Sequence, residues 1–81
     1  MKPIEQAKFM LSLFKKTSIQ ELVLAEIIKR NGYTTTQLVE SVPAELDISE
    51  SQFRKTLSEL YKIGVVQKVG VSIQVTFNIL S

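Results

Sequence analysis

The apolar residues change their period at Gly64, from the spacing of a helix to the alternation of a strand. Before this glycine, Phe53, Leu57 and Leu60 recur at intervals of four and three residues, which places them on one side of a helix. After it, the stretch 71–79 alternates apolar and polar residues, as a strand with one buried face does. The rest of the chain must therefore fold around a helix that stops at a glycine and is followed by strands.

Three helix-start patterns divide the chain before that point. In each pattern, the hydroxyl of a Ser or Thr can accept a hydrogen bond from the backbone amide three residues later. The Glu or Gln at that later position can in turn accept from the backbone amide of the Ser or Thr. The three patterns are Ser18-x-x-Glu21, Thr34-x-x-Gln37 and Ser49-x-x-Gln52. A further helix begins at Pro3, which suits a first helical turn. The sequence predicts helices over 3–16, 18–31, 34–42 and 49–63 and a β-hairpin over 65–79.

Stop signals set the predicted ends of these elements. Gly32 follows two cations and ends the second helix, and Pro43 ends the third, so that residues 44–48 form the turn before the fourth. Gly70 is the predicted tip of the hairpin. Because no linker, repeat or low-complexity stretch intervenes, we expect one α+β domain over 1–81, mainly α with a small antiparallel hairpin.

The amino-acid composition argues against catalysis and metal binding. The 81 residues include neither cysteine nor histidine, so disulfides, the commonest metal ligands and His-dependent catalytic groups are missing. No carboxylate pair or Ser-Lys dyad has a recognisable spacing either. We therefore predict a protein that is not an enzyme, needs no cofactor and binds no metal.

Neither a membrane span nor a signal peptide is recognisable. The longest apolar runs are interrupted by Ser12 and Glu26 and are too short to cross a bilayer. Near the amino terminus, Lys2 is followed by Pro3 and Glu5 without a cleavage site after an apolar stretch. We expect a cytoplasmic protein that makes no use of a membrane.

Charge is distributed unevenly along the chain. Residues 1–16 carry four lysines against one glutamate, whereas residues 17–81 carry six cations against seven anions. Affinity for nucleic acid depends largely on Lys and Arg that neutralise phosphates. Any basic surface for nucleic acid must therefore be local.

The order of the elements resembles that of the winged helix-turn-helix superfamily of DNA-binding regulators. The resemblance covers residues 18–79 and is carried by Gly32-x-Thr34-x-x-Gln37-Leu38, Ile48-Ser49 and Leu57-x-x-Leu60-x-x-x-Gly64-Val-Val. It implies a winged helix-turn-helix with an extra N-terminal helix. It also implies sequence-specific binding of double-stranded DNA, as a transcriptional regulator or a DNA-site adaptor.

In that superfamily, the helix over 49–63 would lie in the major groove as the recognition helix. The resemblance implies that Arg54 and Lys55 donate to guanine or phosphate, that Gln52 pairs with adenine, and that the start of the preceding helix meets a phosphate. The implied DNA-binding residues are Thr34, Thr35, Ser51, Gln52, Arg54, Lys55, Ser58, Lys62 and Lys68.

Ordinary structural roles compete with these assignments. Lys55 and Glu59 are spaced as a surface ion pair, and Thr34 is a natural helix cap. The hairpin departs from the superfamily pattern, because the tip Val69-Gly70-Val71 is short and apolar, with only Lys68 nearby. That tip favours packing against a partner chain over contact with DNA.

The first helix has a broad apolar face with two interpretations. It either completes the core of the monomer or forms a two-fold homodimer, which we favour; a membrane anchor has little support from its polar residues. The predicted dimerisation residues are Ile4, Ala7, Met10, Leu11 and Phe14. With the uncharged wing tip, this face also supports an alternative function, a winged-helix module that binds protein and not DNA.

Overall fold

The described residues, 2–12, 14 and 17–75 of a computed structural model, form helices followed by a hairpin. The helices are α1 (Pro3–Met10), α2 (Ser18–Lys29), α3 (Thr35–Leu46) and α4 (Glu50–Ile63), and the strands are β1 (Val66–Val69) and β2 (Ser72–Val75). The prediction of a mainly α chain with a small antiparallel hairpin is confirmed. None of the helices in these ranges has the length and apolar character needed to cross a membrane.

Helix α2 lies at the centre of the fold. Helix α1 packs on it, and α3, α4 and β2 also contact it. Fully buried apolar side chains come from every helix and from the hairpin, among them Ala7, Leu24, Ile27, Leu38, Phe53, Leu60 and Ile73. Burial of each such side chain contributes about 1.5–3 kcal/mol, so this shared core holds α4 and the hairpin in a fixed relation.

Two of the predicted helix starts are confirmed and one is displaced by a residue. Thr34 and Ser49 cap α3 and α4, each hydroxyl accepting from the amide three residues on. At α2 the cap is Thr17, which exchanges hydrogen bonds with Gln20, and not the predicted Ser18 with Glu21. The earlier start places Gln20 where its side chain is buried between α2 and α4.

Helix α1 is shorter than the predicted 3–16 and ends at Met10. The Ser12 amide and hydroxyl both bond to the carbonyl of Phe9, at 3.2 and 2.7 Å. Serine offers the backbone this kind of local alternative to helical bonding, which explains the early end. The rest of the predicted helix includes residues 13, 15 and 16, which lie outside the described residues.

Pro43 does not end α3, contrary to the prediction. The helix continues to Leu46, with the proline buried in its penultimate turn. The proline removes one helical amide donor and its ring opposes regular helix geometry, but the ring is buried, which offsets part of that cost. The helix ends in a left-handed Asp47 (φ 55°), and the Ile48 amide returns to the Pro43 carbonyl at 3.0 Å. The turn before α4 is therefore shorter than residues 44–48.

The hairpin has the predicted tip. Strand β1 pairs antiparallel with β2, with Val66 opposite Val75 and Val69 opposite Ser72. Gly70 has a positive φ of 62° at the first position of the two-residue loop, which is the place of glycine in a type II′ turn. The predicted alternation holds over β2, and residues 76–79 of the predicted hairpin lie outside the described residues.

The loop between α2 and α3 ties the hairpin to the helices, an arrangement that the sequence patterns did not predict. The Gly32 amide donates to the Ile73 carbonyl at 2.9 Å, and the Ile73 amide donates to the Tyr33 carbonyl at 2.8 Å. Asn31 Oδ1 accepts from the Val75 amide at 2.8 Å. These bonds fix β2 beside α2, and β1 is thereby held next to α4.

Candidate nucleic-acid interface

Helix α4 separates into the two faces that the sequence predicts. Phe53, Leu57 and Leu60 are buried, together with Thr56, whose hydroxyl donates to the Gln52 carbonyl at 2.8 Å. Four of the candidate side chains are exposed on the opposite face, namely Ser51, Lys55, Ser58 and Lys62. Two lysines and two small hydroxyl residues therefore form one solvent-facing stripe along the helix.

A groove of about 340 Å³ runs along one flank of this stripe. Its lining residues come from three elements: Thr35 of α3, Lys68 of β1, and Arg54, Leu57, Ser58 and Tyr61 of α4. Four of the residues implied by the resemblance thus lie together here. We call this flank the Arg54–Lys68 groove.

The strand register explains why Lys68 lines the groove. Lys68 lies opposite Ile73 in the hairpin, and residues that are opposite each other in an antiparallel pair share a face. Ile73 is completely buried on the helix side. The Lys68 side chain therefore projects from the face that adjoins α4, while its ammonium end stays in solvent.

The two threonines at the start of α3 have different roles. Thr34 Oγ1 accepts from the Gln37 amide at 3.2 Å, and Gln37 Oε1 accepts from the Thr34 amide at 2.9 Å. Thr34 is thus occupied as a helix cap. Thr35 lines the groove and shares a side-chain hydrogen bond with Tyr61.

Tyr61 is a groove residue that sequence reasoning missed. Burial raises the pKa of its phenol, and the hydrogen bond with Thr35 opposes that shift in part. Its position three residues after Ser58 and seven after Arg54 places it on the same flank of α4, which was the available signal. An aromatic ring with a polar tip therefore forms part of the floor of the Arg54–Lys68 groove.

The charge of this face is strongly positive. It bears four cations, Arg54, Lys55, Lys62 and Lys68, and the carboxylate of Glu50, whose Oε2 lies 2.8 Å from Arg54 Nε. The surface ion pair that the spacing of Lys55 and Glu59 would allow is not formed. Glu59 accepts instead from Gln20 Nε2 at 3.1 Å on the opposite flank, so Lys55 is left without a carboxylate partner among the described residues.

Gln52 lies away from the Arg54–Lys68 groove. Its side chain is exposed in the first turn of α4, and its backbone amide donates to the hydroxyl of the capping residue Ser49 at 3.0 Å. Gln52 lies seven residues before Glu59, so the two residues are on the same flank of α4, away from Arg54. The structure thus groups Arg54, Ser58, Thr35 and Lys68 more closely than it groups Gln52 with them.

The predicted dimerisation residues are mostly core residues. Ala7, Met10 and Leu11 are buried within the monomer, so the prediction that they form a dimer surface is wrong for these three. Their burial against α2 completes the core, which was the other interpretation of this helix. Ile4 and Phe14 are partly buried and pack against the same core.

Exposed apolar side chains among the described residues include Tyr33, in the loop between α2 and α3, and residues at two further places. Val69 and Val71 at the hairpin tip are 49% and 72% exposed. On the side of the first two helices, Phe9 and Leu22 are also exposed, and Leu22 borders a second groove of about 350 Å³ between α1 and α2. Both places lie outside the set of residues that line the Arg54–Lys68 groove.

The described residues contain no group of three or more acidic, histidine or cysteine side chains that could hold a metal ion. In comparisons with known proteins, the chain matches no family model, and no curated protein or solved structure is significantly similar to it.

Proposed function

We propose that this protein is a winged-helix DNA-binding protein that binds double-stranded DNA sequence-specifically, as a small transcriptional regulator or DNA-site adaptor in the cytoplasm. The observation that carries the proposal is the concentration of four cations on the face formed by α4 and β1, against the one carboxylate of Glu50. Phosphate neutralisation supplies most of the affinity of such proteins for DNA. A local surplus of positive charge serves that purpose even though the chain as a whole has a formal net charge of only +2.

The dimensions of α4 suit the major groove. Its 14 residues extend over about 21 Å, and a helix with its side chains is about 10–12 Å wide, close to the width of that groove. Ser51 and Ser58 are small, so they permit a close approach of the helix to base edges, before Lys55 and between Lys55 and Lys62 respectively. Ser51, near the start of the helix, is placed as base-reading residues are in helix-turn-helix proteins.

Lys68 and Thr35 give the Arg54–Lys68 groove a side that is suited to the DNA backbone. They belong to different elements, β1 and the first turn of α3, and Arg54 enters the same groove from α4. Amides at the start of a helix favour anions, and the core fixes α3, α4 and β1 relative to one another. In this arrangement the backbone contacts set the register with which α4 meets the bases.

Fluorescence anisotropy with a labelled duplex tests the proposal. Arg54→Ala and Lys55→Ala should each weaken binding, and the dependence of the dissociation constant on salt should become shallower. Lys8→Ala, which removes an exposed lysine from α1, is the matched control and should leave binding unchanged. Absence of binding at low salt, or equal effects of all three changes, would refute the proposal.

A homodimer is also part of the proposal, because paired subunits would allow recognition of two half-sites. With Ala7, Met10 and Leu11 buried, the contact would have to use exposed residues such as Phe9 and Leu22. The mass measured by light scattering in solution tests this part. A monomer at concentrations that saturate DNA would contradict it.

The exposed hairpin tip favours a second candidate function, a protein-binding winged helix. Val69 and Val71 offer apolar surface where a DNA-binding wing would carry cations. Co-purification from the native source discriminates between the two functions. A stoichiometric protein partner without nucleic acid would support this candidate over DNA binding.

A further inference from the structure

Arg54 is held by one edge of its guanidinium only. Its Nε donates to Glu50 Oε2 at 2.8 Å, while its two terminal nitrogens have no partner among the described residues. Both side chains are more than half exposed, at 55% for Arg54 and 58% for Glu50. The pair thus leaves free the part of the guanidinium that can form two parallel hydrogen bonds.

Two ligands on DNA accept such a pair of hydrogen bonds. The O6 and N7 atoms of guanine form a neutral bidentate acceptor, and the backbone phosphate forms an anionic one. Glu50 affects these two differently, because its carboxylate repels an anionic phosphate brought to Arg54 more strongly than it repels the partial negative charges of a neutral base edge. The ion pair therefore favours guanine over phosphate at this position.

The other cations of the face do not share this feature. Lys55, Lys62 and Lys68 form no ion pair with the described residues. They can meet phosphates without displacing a carboxylate of the protein. The charges of the interface are thereby divided between three lysines suited to the backbone and one arginine biased toward bases.

We propose that Glu50 is a specificity-determining residue, which holds Arg54 for a guanine edge and lowers the affinity of the same face for DNA of unrelated sequence. This inference rests on the proposed function, since it assumes that α4 meets DNA. An ordinary surface ion pair between positions i and i+4 would stabilise the helix slightly and would have no effect on sequence preference.

The test begins with selection of duplexes from a random pool by the unmodified protein. Affinities for the selected duplex and for a scrambled duplex are then measured by anisotropy for the unmodified protein, Glu50→Gln and Glu5→Gln. Glu5 is the matched control, because it is an exposed glutamate in the first turn of α1. The ratio of the two affinities is the quantity that Glu50 should control.

We expect Glu50→Gln to tighten binding to the scrambled duplex by roughly 3- to 10-fold, and to lower the preference for the selected duplex by a similar factor. Glu5→Gln should change neither. An equal gain on both duplexes, or no gain on either, would overturn the inference while DNA binding stands. Binding without any sequence preference would overturn it together with the sequence specificity of the proposed function, and absence of all binding would refute DNA binding itself.

Discussion

Gln20 Nε2 donates to Glu59 Oε1 over 3.1 Å, and this hydrogen bond joins the first turn of α2 to the C-terminal half of α4. The same Gln20 side chain accepts from the Thr17 amide at 3.0 Å through Oε1. One buried amide group therefore completes a helix cap and also adds a polar contact to the apolar packing that sets the rotation of α4 about its axis. That rotation decides which residues of α4 are presented to solvent.

We expect Gln20→Ala to destabilise the fold by about 1–3 kcal/mol, because it removes a cap interaction at Thr17 and takes the hydrogen-bond donor of Gln20 away from the half-buried Glu59 carboxylate. Urea denaturation followed by circular dichroism measures the change. Gln37→Ala is the control: Gln37 holds the same position in the capping box of α3, but it is exposed and its side chain bonds only within that box. Equal losses in the two variants would show that the bond to α4 contributes nothing.

Stability should depend on pH through Glu26. Burial acts to raise the pKa of this carboxyl, but hydrogen bonds and charges from Arg30 and Lys29 outweigh burial, and the pKa lies below its ordinary value of 4.5. A depressed carboxyl pKa stabilises the folded state above the ordinary pKa, and that stabilisation is lost as the pH falls through the lowered value.

Glu26→Gln should therefore be less stable than the unmodified protein at pH 7, and the difference should shrink as the pH falls below about 4.5. Urea midpoints measured at pH 7 and at steps down to pH 3 give the comparison. Glu40→Gln, an exposed change on α3, serves as the control. A difference that stays constant with pH would contradict the ion-pair account of Glu26.

Lys68 should contribute to DNA affinity without contributing to sequence preference. It faces the Arg54–Lys68 groove from β1, where a backbone phosphate is the expected ligand. We expect Lys68→Ala to weaken binding to all duplexes alike and to reduce the salt slope by about 1. Anisotropy titrations at several salt concentrations measure both, with Lys29→Ala on α2 for comparison. A selective loss on one sequence would instead mean that Lys68 contacts a base.

Much of the fold follows from local patterns in the sequence. The buried face of α4, the caps at Thr34 and Ser49, and the turn at Gly70 each depend on residues within one or two helical turns, and each is confirmed. Errors arose where two local solutions were available. Thr17 and Ser18 both fit a capping pattern, and contact of Gln20 with the distant Glu59 favours the first.

The candidate interface was predictable only in part. The exposed stripe of α4 follows from its helical period, but the Arg54–Lys68 groove depends on the hydrogen bonds of Tyr33 and Asn31 with β2, which join segments about forty residues apart. No local pattern encodes that pairing. The same reasoning applies to the dimer predicted from α1. The apolar face of α1 indicates that it is buried against another surface, but the sequence does not indicate that this surface is α2 of the same chain.

An NMR titration tests the central claim most directly. Amide spectra of the ¹⁵N-labelled protein, recorded while a short DNA duplex is added, show which surface the duplex contacts. We predict shifts concentrated at Thr35, at Lys68 and along the exposed stripe of α4, with little change around Leu22 in the groove between α1 and α2. Shifts centred on that second groove, or no shifts at saturating DNA and low salt, would contradict the assignment of α4 and β1 as a DNA-binding face.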